Sequence, residues 1–364
     1  MRIHKLAVMF VAQLAFVAAC GSGDDTNGGD DAVDPTGDGG TVLPGFTDGV
    51  STLTGSGEAG YVDGPRGVAR LANPVSVAVG PDGAVYVADF DNHKIRRVDA
   101  STGETTTVIS QQGFRKPFAM AFGANGTLYV TTDDDPNGGH GPMTGTVWRV
   151  DVDAKTATVI VASIGRPRGI AVLPDERLVV TDYQHHVVQV IDGTGRVTLL
   201  AGVWDVPGAT NGVGTQAQFA TPYGIVVRPD GSLLVADHDN DRLRVVTLDG
   251  QVSSLAGTGN AGFSDGSAAT AQMSGPQGLA ITSSGDVFIT DTNNFRVRRL
   301  RAGSIDTVAG NGTGGYKDND DPLASELYGL EGIAVTPNGA TVFVADGGRG
   351  EPVPYNRIRL IKMN

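Results

Sequence analysis

A repeat of about 50 residues runs through most of this chain and constrains its fold more than any other feature. Each copy has an apolar run that ends at an aspartate and leads into a second, arginine-containing run, as in VYVADFDNHKIRR from Val85. These aspartates lie 44, 49, 55, 54 and 55 residues apart, at Asp89, Asp133, Asp182, Asp237, Asp291 and Asp346. Prolines upstream of these aspartates have nearly the same spacing, and Glu331 continues their series: Pro74, Pro117, Pro167, Pro222 and Pro276. Two landmarks with one period predict six equivalent units.

Each unit contains four short strand signals. The first follows the proline, the second ends at the aspartate, the third carries the arginine, and the fourth is a run such as TTTVI from Thr105. Turn sequences such as GPDG at residues 80–83 separate the first two strands. Four antiparallel strands in a unit of this length form one blade of a β-propeller, so we predict an all-β, six-bladed propeller.

The sixth unit has no fourth strand signal before the sequence stops at Asn364. A matching signal is present near the other end, where DGVSTLTG at residues 48–55 resembles DGQVSSLAG at residues 249–257. We therefore expect the N-terminal strand to close the last blade, within a propeller that spans residues 48–364. Closure of this kind removes the exposed sheet edges between the first and last units.

The segments that join the second and third strands resemble a known family pattern. VADFDNHKIRR from Val87, VADHDNDRLR from Val235 and ITDTNNFRVRR from Ile289 are similar to the VADxxNxRIR pattern of the NHL-repeat family. The resemblance covers nearly everything after residue 48 and implies a six-bladed propeller. It does not imply one activity, because the family includes several unrelated functions.

Residues 1–19 have the pattern of a secretory signal peptide, with a basic start and a short apolar run. The run ends in VAAC, which resembles a bacterial lipobox and implies cleavage before Cys20 and lipidation of its thiol. The alternative is ordinary signal cleavage with Cys20 unmodified. Residues 20–47 form an acidic Gly- and Asp-rich stretch without lysine or arginine, which we interpret as a solvated tether. We expect a cell-envelope lipoprotein. In Gram-negative lipoproteins an aspartate after the lipidated cysteine signals retention in the inner membrane, so Gly21 favours the outer membrane if the source is Gram-negative, with the propeller facing the periplasm or the cell surface.

Composition excludes two classes of protein. The 27 Lys and Arg residues against 40 Asp and Glu give a net charge of −13, which argues against a nucleic-acid partner. The single cysteine excludes a disulfide framework and a cysteine-rich metal site. We expect a monomer that contacts the membrane only through its lipid anchor.

Residue types that recur in nearly every blade are expected to be structural, because aspartate accepts hydrogen bonds in tight turns and pairs with arginine. The set comprises Asp89, Asp237, Asp291, Asp346, Arg96, Arg244 and Arg298. The alternative is a ring of aspartates that holds a cation.

Five histidines lie in the connections between second and third strands, and hence on one face of the propeller: His93, His140, His185, His186 and His238. Zinc needs three converging ligands and an open position. A zinc site here would use His238, His185 and His140, supported by Asp237 or Asp182. Clustered oxygens suggest calcium in the insertion that contains Asp133, Asp134 and Asp135, although the spacing is not that of an EF-hand loop. The alternative is a surface loop, and the sequence requires neither metal.

Long connections between blades carry a second repeat: GEAGYVDG from Gly57, GNAGFSDG from Gly259 and GTGGYKDN from Gly312. Its aromatic residues are Tyr61, Phe263 and Tyr316, and a looser copy contains Trp204. These rings either pack against their own blades or form an aromatic rim on the same loop-rich face as the histidines.

We therefore expect a binding module for a protein, peptide or glycan that uses this face, rather than an enzyme. The alternative is a metal-dependent (zinc or calcium) lyase or hydrolase, because the peptidyl amidating lyases are similar propellers that use zinc-binding histidines. Gluconolactonase-like propellers are also similar, but where they hold calcium ligands Glu331 is the one plausible residue here.

Overall fold

The structure, a computed structural model, describes residues 46–349 and 355–363. The signal peptide, Cys20 and most of the predicted tether lie outside these residues. The described chain is all-β, with antiparallel strands in six sheets, so the predicted six-bladed propeller is confirmed. Each sheet is one blade, and the first strand of each blade contacts the first strands of its neighbours around a central channel.

The strands of the first three blades follow β1, which is Gly49–Gly57. Blade 1 consists of β2 (Pro74–Val79), β3 (Val85–Asp89), β4 (Lys94–Val98) and β5 (Thr105–Ile109). Blade 2 consists of β6 (Pro117–Phe122), β7 (Leu128–Thr132), β8 (Thr146–Asp151) and β9 (Thr156–Ala162). Blade 3 consists of β10 (Pro167–Val172), β11 (Leu178–Asp182), β12 (Val187–Ile191) and β13 (Val197–Gly202).

Blades 4 and 5 each gain a short fifth strand at the outer edge from the preceding loop. Blade 4 consists of β14 (Gly212–Val213), β15 (Pro222–Val227), β16 (Leu233–Asp237), β17 (Arg242–Val246) and β18 (Gln251–Ala256). Blade 5 consists of β19 (Gly266–Ser267), β20 (Pro276–Ile281), β21 (Val287–Asp291), β22 (Arg296–Arg301) and β23 (Ser304–Ala309). The single-turn 3-10 helices of the described chain are Gly214–Gln216, His238–Asn240, Thr292–Asn294 and Pro322–Ala324.

Blade 6 is assembled from both ends of the propeller. It consists of β24 (Leu330–Val335), β25 (Thr341–Asp346), β26 (Asn356–Lys362) and, as outer strand, β1. The pairs Gly49↔Lys362 and Val50↔Ile361 join β1 to β26. The predicted closure is therefore confirmed, and it joins the two ends of the ring through backbone hydrogen bonds.

Small residues in the inner strands let neighbouring blades approach closely. The third inner-strand position holds Ser76, Ala119, Gly169, Gly224, Gly278 and Gly332. A Cβ on Gly278 would lie 2.3 Å from the carbonyl oxygen of Glu331 in the next blade. The channel consequently has a volume of about 70 Å³, which holds a few water molecules but not a sugar ring or a peptide.

Strand register corrects two of the sequence landmarks by one residue each. Thr132 lies opposite Pro117 in blade 2, so Asp133 comes one position after the recurrent aspartate. Leu330 lies opposite Asp346 in blade 6, so Glu331 comes one position after the proline equivalent. Successive residues of a strand point to opposite faces of the sheet. The side chains of Asp133 and Glu331 therefore lie in different surroundings from those of the recurrent aspartates and prolines.

Candidate functional site

A buried aspartate and arginine form an ion pair in four of the six blades. In blade 1, Asp89 Oδ2 accepts hydrogen bonds from Arg96 Nη1 at 2.7 Å and from Asn92 Nδ2 at 2.8 Å. Blades 4, 5 and 6 repeat the ion pair as Asp237–Arg244, Asp291–Arg298 and Asp346–Arg359, at 2.6, 2.6 and 2.8 Å. The four arginines are fully buried. We call each such pair an arginine clamp.

Each clamp also holds the long loop that leads into its blade. Arg96 Nη2 donates to the backbone oxygen of Val62 at 2.9 Å and to Asp63 Oδ1 at 2.5 Å. The other clamp arginines bond in the same way to Asn211, Asp265 and Asp318. The loop motif and the strand motif therefore depend on each other, because the aspartate or asparagine of the loop completes the coordination of the arginine.

The loop aromatic residues lie over these clamps. The Tyr61 ring lies 4.4 Å from Lys94 Nζ and 5.1 Å from the Arg96 guanidinium carbon. Phe263 lies over Arg296 and Arg298, and Tyr316 lies over Arg357 and Arg359. These rings pack against their own blades, although Tyr61 remains 49% exposed and Phe263 44%. Trp204 stacks on His185 with ring centroids 4.3 Å apart.

Two histidines connect neighbouring blades through the backbone. His93 Nδ1 accepts from the N–H of Lys116 at 3.2 Å, and His186 Nδ1 accepts from the N–H of Thr221 at 3.0 Å. Asp241 makes the equivalent bond to Gly275 N at 2.9 Å. The side chain just before the third strand of a blade thus accepts a hydrogen bond from the backbone of the residue that precedes the next inner strand. His93 and His186 therefore have a structural role in joining neighbouring blades.

The three histidines proposed as zinc ligands do not come together, and each bonds to a nearby aspartate. His140 Nδ1 lies 2.7 Å from Asp134, His185 Nδ1 2.5 Å from Asp182 and His238 Nδ1 2.6 Å from Asp239. Asp237 belongs to the clamp of blade 4. Within residues 46–349 and 355–363, no group of three or more His, Cys, Asp or Glu side chains is placed to hold a metal ion.

The acidic insertion of blade 2 is held by internal hydrogen bonds. Asp133 accepts hydrogen bonds from Arg166 and Arg168 of blade 3. Asp134 bonds to Arg115 at 3.1 Å as well as to His140. Asp135 Oδ1 accepts from the backbone N–H groups of the following turn, at 2.8 and 2.9 Å. Each carboxylate thus already has partners from the protein.

The structure assembles a different cluster at the channel entrance on the loop-rich face, where the inner strands begin. A first ring consists of the second inner-strand residue of each blade: Val75, Phe118, Arg168, Tyr223, Gln277 and Glu331. A second ring consists of the residue that follows each second strand: Phe90, Asp133, Tyr183, His238, Thr292 and Gly347. We call these twelve positions, together with the residues that directly contact them, the channel mouth.

The two rings interlock between blades. Phe90 contacts Phe118 of the next blade at a centroid distance of 6.0 Å, and Tyr183 contacts Tyr223 of the next blade at 5.6 Å. Arg168 follows the same rule through its ion pair with Asp133 of blade 2. Its guanidinium carbon lies 3.9 Å from the Phe118 ring centroid, which adds a cation–π contact.

Burial changes the protonation of these groups. Desolvation raises the pKa of Glu331 to about 7, against the opposing charge of Arg168, and raises that of Tyr223 to about 12. Burial also disfavours ionised Asp133, but its ion pairs with Arg168 and Arg166 outweigh burial and lower its pKa. The mouth therefore combines a fixed cation with an acid that titrates near neutral pH.

Unpartnered polar atoms gather at the mouth. Buried side-chain atoms without a hydrogen-bond partner in the described chain number ten, and four are the Nε atoms of clamp arginines. Two more belong to Ser51 and Ser56. The remaining four are Asn73 Oδ1, Arg166 Nε, His238 Nε2 and Glu331 Oε2. All four belong to the mouth or to residues that lead into it, and unpaired buried polar groups cost stability unless a ligand or water satisfies them.

The sequence carries a signal for this cluster that repeat alignment does not use. The residue after each proline and the residue after each aspartate differ in every blade, whereas the positions around them recur. A search for constant residues therefore finds the clamps and misses Arg168, Tyr223 and Gln277.

Sequence similarity to known proteins agrees with the propeller fold. A family model described as NHL repeat matches residues 71–97, 165–191 and 273–300. Protein SUPPRESSOR OF QUENCHING 1, chloroplastic, from Arabidopsis thaliana is 30% identical over 280 residues, which are 67% of this chain and 26% of that protein. NHL repeat-containing protein 2 from Gallus gallus is 28% identical over 301 residues, 68% of this chain and 41% of that protein. The matched part of this chain thus spans less than half the length of each of these curated relatives.

A solved structure described as an auxiliary nutrient binding protein from Bacteroides thetaiotaomicron is similar with a TM-score of 0.67. It is 18% identical, and the match covers 85% of this chain and 75% of that one. A likeness at this identity concerns the fold alone. No helix among the described residues is long and apolar enough to cross a membrane.

Proposed function

Since the chain carries NHL repeats and folds as a six-bladed β-propeller, we propose that it is a binding module whose ligand occupies the channel mouth on the loop-rich face. The observation that carries the proposal is that four buried polar atoms without a hydrogen-bond partner lie around the mouth, on four different blades or the loops that lead into them. Propellers place their variable residues on loops held by a rigid scaffold, and recognition uses such positions. The nutrient-binding description of a neighbour with this fold points in the same direction.

We propose further that the module is displayed in the cell envelope by a lipid on Cys20, with residues 21–47 as a tether. The ligand class at this level is a protein, a peptide or a glycan. The narrow channel supports a surface ligand, because about 70 Å³ does not admit any of these.

A thermal-shift screen of the full chain tests the binding function. Defined peptides, amino acids and oligosaccharides are each added, and the melting temperature is recorded for the wild type and for Arg168→Ala. A ligand at one hundred times its Kd stabilises the folded state by about 2.7 kcal/mol and raises the melting temperature by a few degrees.

The proposal requires that at least one probe raises the melting temperature of the wild type and not that of Arg168→Ala. An equal rise in both proteins would place the ligand elsewhere, and no rise with any probe would count against a binding module of this kind. Arg228→Ala, a partly exposed arginine between the first two strands of blade 4, is the matched control.

A second candidate function follows from the geometry of His238. Asp239 bonds to Nδ1 at 2.6 Å, while Nε2 is unpartnered and the imidazole packs 5.2 Å from the Tyr223 ring. A histidine oriented by a carboxylate with a free Nε2 is arranged as a general base. This arrangement would serve a lyase or hydrolase without a metal. Turnover of a bound probe that is lost in His238→Ala would favour catalysis over binding.

A further inference from the structure

We propose that the channel mouth binds a saccharide, or another neutral ligand rich in hydroxyl groups, laid across the entrance. The inference rests on the binding function proposed above and names its ligand class. It is argued from three properties of the mouth: its unpartnered atoms, its aromatic surface and its charge balance.

The unpartnered atoms favour a ligand that donates hydrogen bonds. Asn73 Oδ1 is an acceptor without a donor, and so is Glu331 Oε2 when the carboxyl group is ionised. His238 Nε2 is also an acceptor when Nδ1 carries the proton that bonds to Asp239. Phosphate, sulfate and carboxylate ions offer few or no donors, so they would leave these atoms unpaired. A hydroxyl group donates one hydrogen bond and accepts others, and it would therefore also satisfy Arg166 Nε.

The aromatic surface fits the C–H face of a sugar ring. Phe90, Tyr183 and Tyr223 are all half-buried at the mouth. They belong to a continuous set of rings. Phe90 contacts Phe118 at 6.0 Å and Phe118 contacts Tyr223 at 6.4 Å. Tyr223 in turn contacts Tyr183 at 5.6 Å and the His238 imidazole at 5.2 Å. Amphipathic rings beside a few convergent polar groups are typical of small-ligand sites. A pyranose presents the complement, an apolar face with hydroxyls at its edge.

The charges of the mouth balance, which disfavours an ionic ligand. Four described cationic side chains lie around it: Lys116, Arg166, Arg168 and Arg349. Four described acidic side chains oppose them: Asp91, Asp133, Asp239 and, when ionised above its pKa of about 7, Glu331. A site for an anion or a cation would have an excess of the opposite sign. Ion pairs such as Arg168–Asp133 instead orient donors and acceptors without attracting a net charge.

Isothermal titration of the full chain with defined oligosaccharides tests this inference. The probes are xylohexaose, cellohexaose, laminarihexaose, mannohexaose, maltohexaose and chitohexaose, and the negative control is inositol hexakisphosphate. Three variants are compared with the wild type. Glu331→Ala removes the acceptor, Tyr183→Ala removes a ring, and Phe263→Ala removes an exposed ring that lies over the blade 5 clamp, away from the mouth.

We expect at least one oligosaccharide to bind, with affinity lowered at least tenfold in Glu331→Ala and in Tyr183→Ala and changed less than twofold in Phe263→Ala. Glu331→Gln keeps an acceptor oxygen, so it should retain binding. If a thermal melt shows that Glu331→Ala does not fold, the test rests on Tyr183→Ala, with Glu331→Gln as the folded variant at position 331. Unchanged affinity in both Glu331→Ala and Tyr183→Ala, or failure of all six oligosaccharides to bind the wild type, would overturn the saccharide assignment.

The outcomes separate this inference from the broader function. A peptide or amino acid that binds in the thermal-shift screen and loses its effect in Arg168→Ala would keep the channel mouth as a binding site and reject a saccharide. Preferential binding of the hexakisphosphate would likewise reject a neutral ligand. If no probe of any class binds in a way that a mouth variant weakens, both the binding function and the saccharide assignment fail.

Discussion

The indole Nε1 of Trp148 donates a hydrogen bond to Thr132 Oγ1 at 2.9 Å, at the positions where blade 1 has Arg96 and Asp89. Both residues of this pair are buried. Blade 2 thus keeps a buried strand-to-strand hydrogen bond but has no charge there. Its preceding loop, residues 110–116, is short and contains no acidic residue that a clamp arginine would bind. The clamp and the long loop are therefore present together or absent together.

The first prediction concerns the clamp of blade 4. Arg244→Ala leaves Asp237 buried without its charged partner and removes the donor to Asn211. We expect a loss of about 3–5 kcal/mol in the free energy of unfolding, because an uncompensated charge in the interior is costly. Urea denaturation followed by circular dichroism measures it.

Arg242→Ala, two residues earlier on the same strand, is the matched control. Its guanidinium is partly exposed and bonds to Ser254 and Thr258 near the surface. We expect a loss below about 1 kcal/mol. Equal losses in the two variants would mean that the clamp has no special role in stability.

The repeat predicts the blades because each one must bury the same strand faces against its neighbours, so the same residue types recur at the same spacing. The ring closure follows from the same pattern, since residues 48–55 match the fourth strand of another unit. The channel mouth could not be predicted in this way. Its residues differ from blade to blade, so no recurring residue type marks them in the repeat.

Register explains the errors at Asp133 and Glu331. Asp133 lies one residue after Thr132, which occupies the register position of the recurrent aspartate. The spacing between aspartates varies by more than one residue because the loops differ in length, so the sequence alone does not separate positions 132 and 133. In the structure that one residue moves the carboxylate from a clamp to the ion pair with Arg168. The same shift places Glu331 beside the channel instead of at the proline position.

The second prediction is a pH dependence due to Glu331. Burial raises its pKa to about 7 in the folded protein, above the ordinary value of 4.5 that applies to the unfolded chain. The folded state therefore binds more protons between these values, and stability is lost as the pH rises from about 4.5 to about 7. Through this group alone the wild type should lose up to about 3 kcal/mol between pH 4 and pH 8.

Glu331→Gln does not titrate and should lack this component. The measurement is urea denaturation of both proteins at pH 4, 6 and 8, with the exposed Glu104→Gln as control. The difference between wild type and Glu331→Gln should grow with pH in favour of the variant. A difference that stays constant with pH would show that the carboxyl group is not desolvated.

The third prediction tests the proposed lipid anchor. Cys20→Ser removes the thiol that the lipobox resemblance assigns to lipidation. In a Gram-negative host the wild type should incorporate radiolabelled palmitate and fractionate with membranes, and Cys20→Ser should do neither. Ser22→Ala, two residues further along, is the control and should behave as the wild type. Palmitate incorporation that survives in Cys20→Ser would reject the anchor.

The fourth prediction concerns the width of the channel beneath the proposed ligand. A Cβ on Gly278 would lie 2.3 Å from the carbonyl oxygen of Glu331, so Gly278→Ala must push blades 5 and 6 apart. We expect a loss of about 1–3 kcal/mol in the free energy of unfolding. Because the displaced strand carries Glu331, ligand affinity should fall as well. Gly193→Ala, on a loop where a Cβ has no neighbour within 4 Å, should change neither quantity. A stable Gly278→Ala protein with unchanged affinity would show that close approach of the inner strands does not position the mouth.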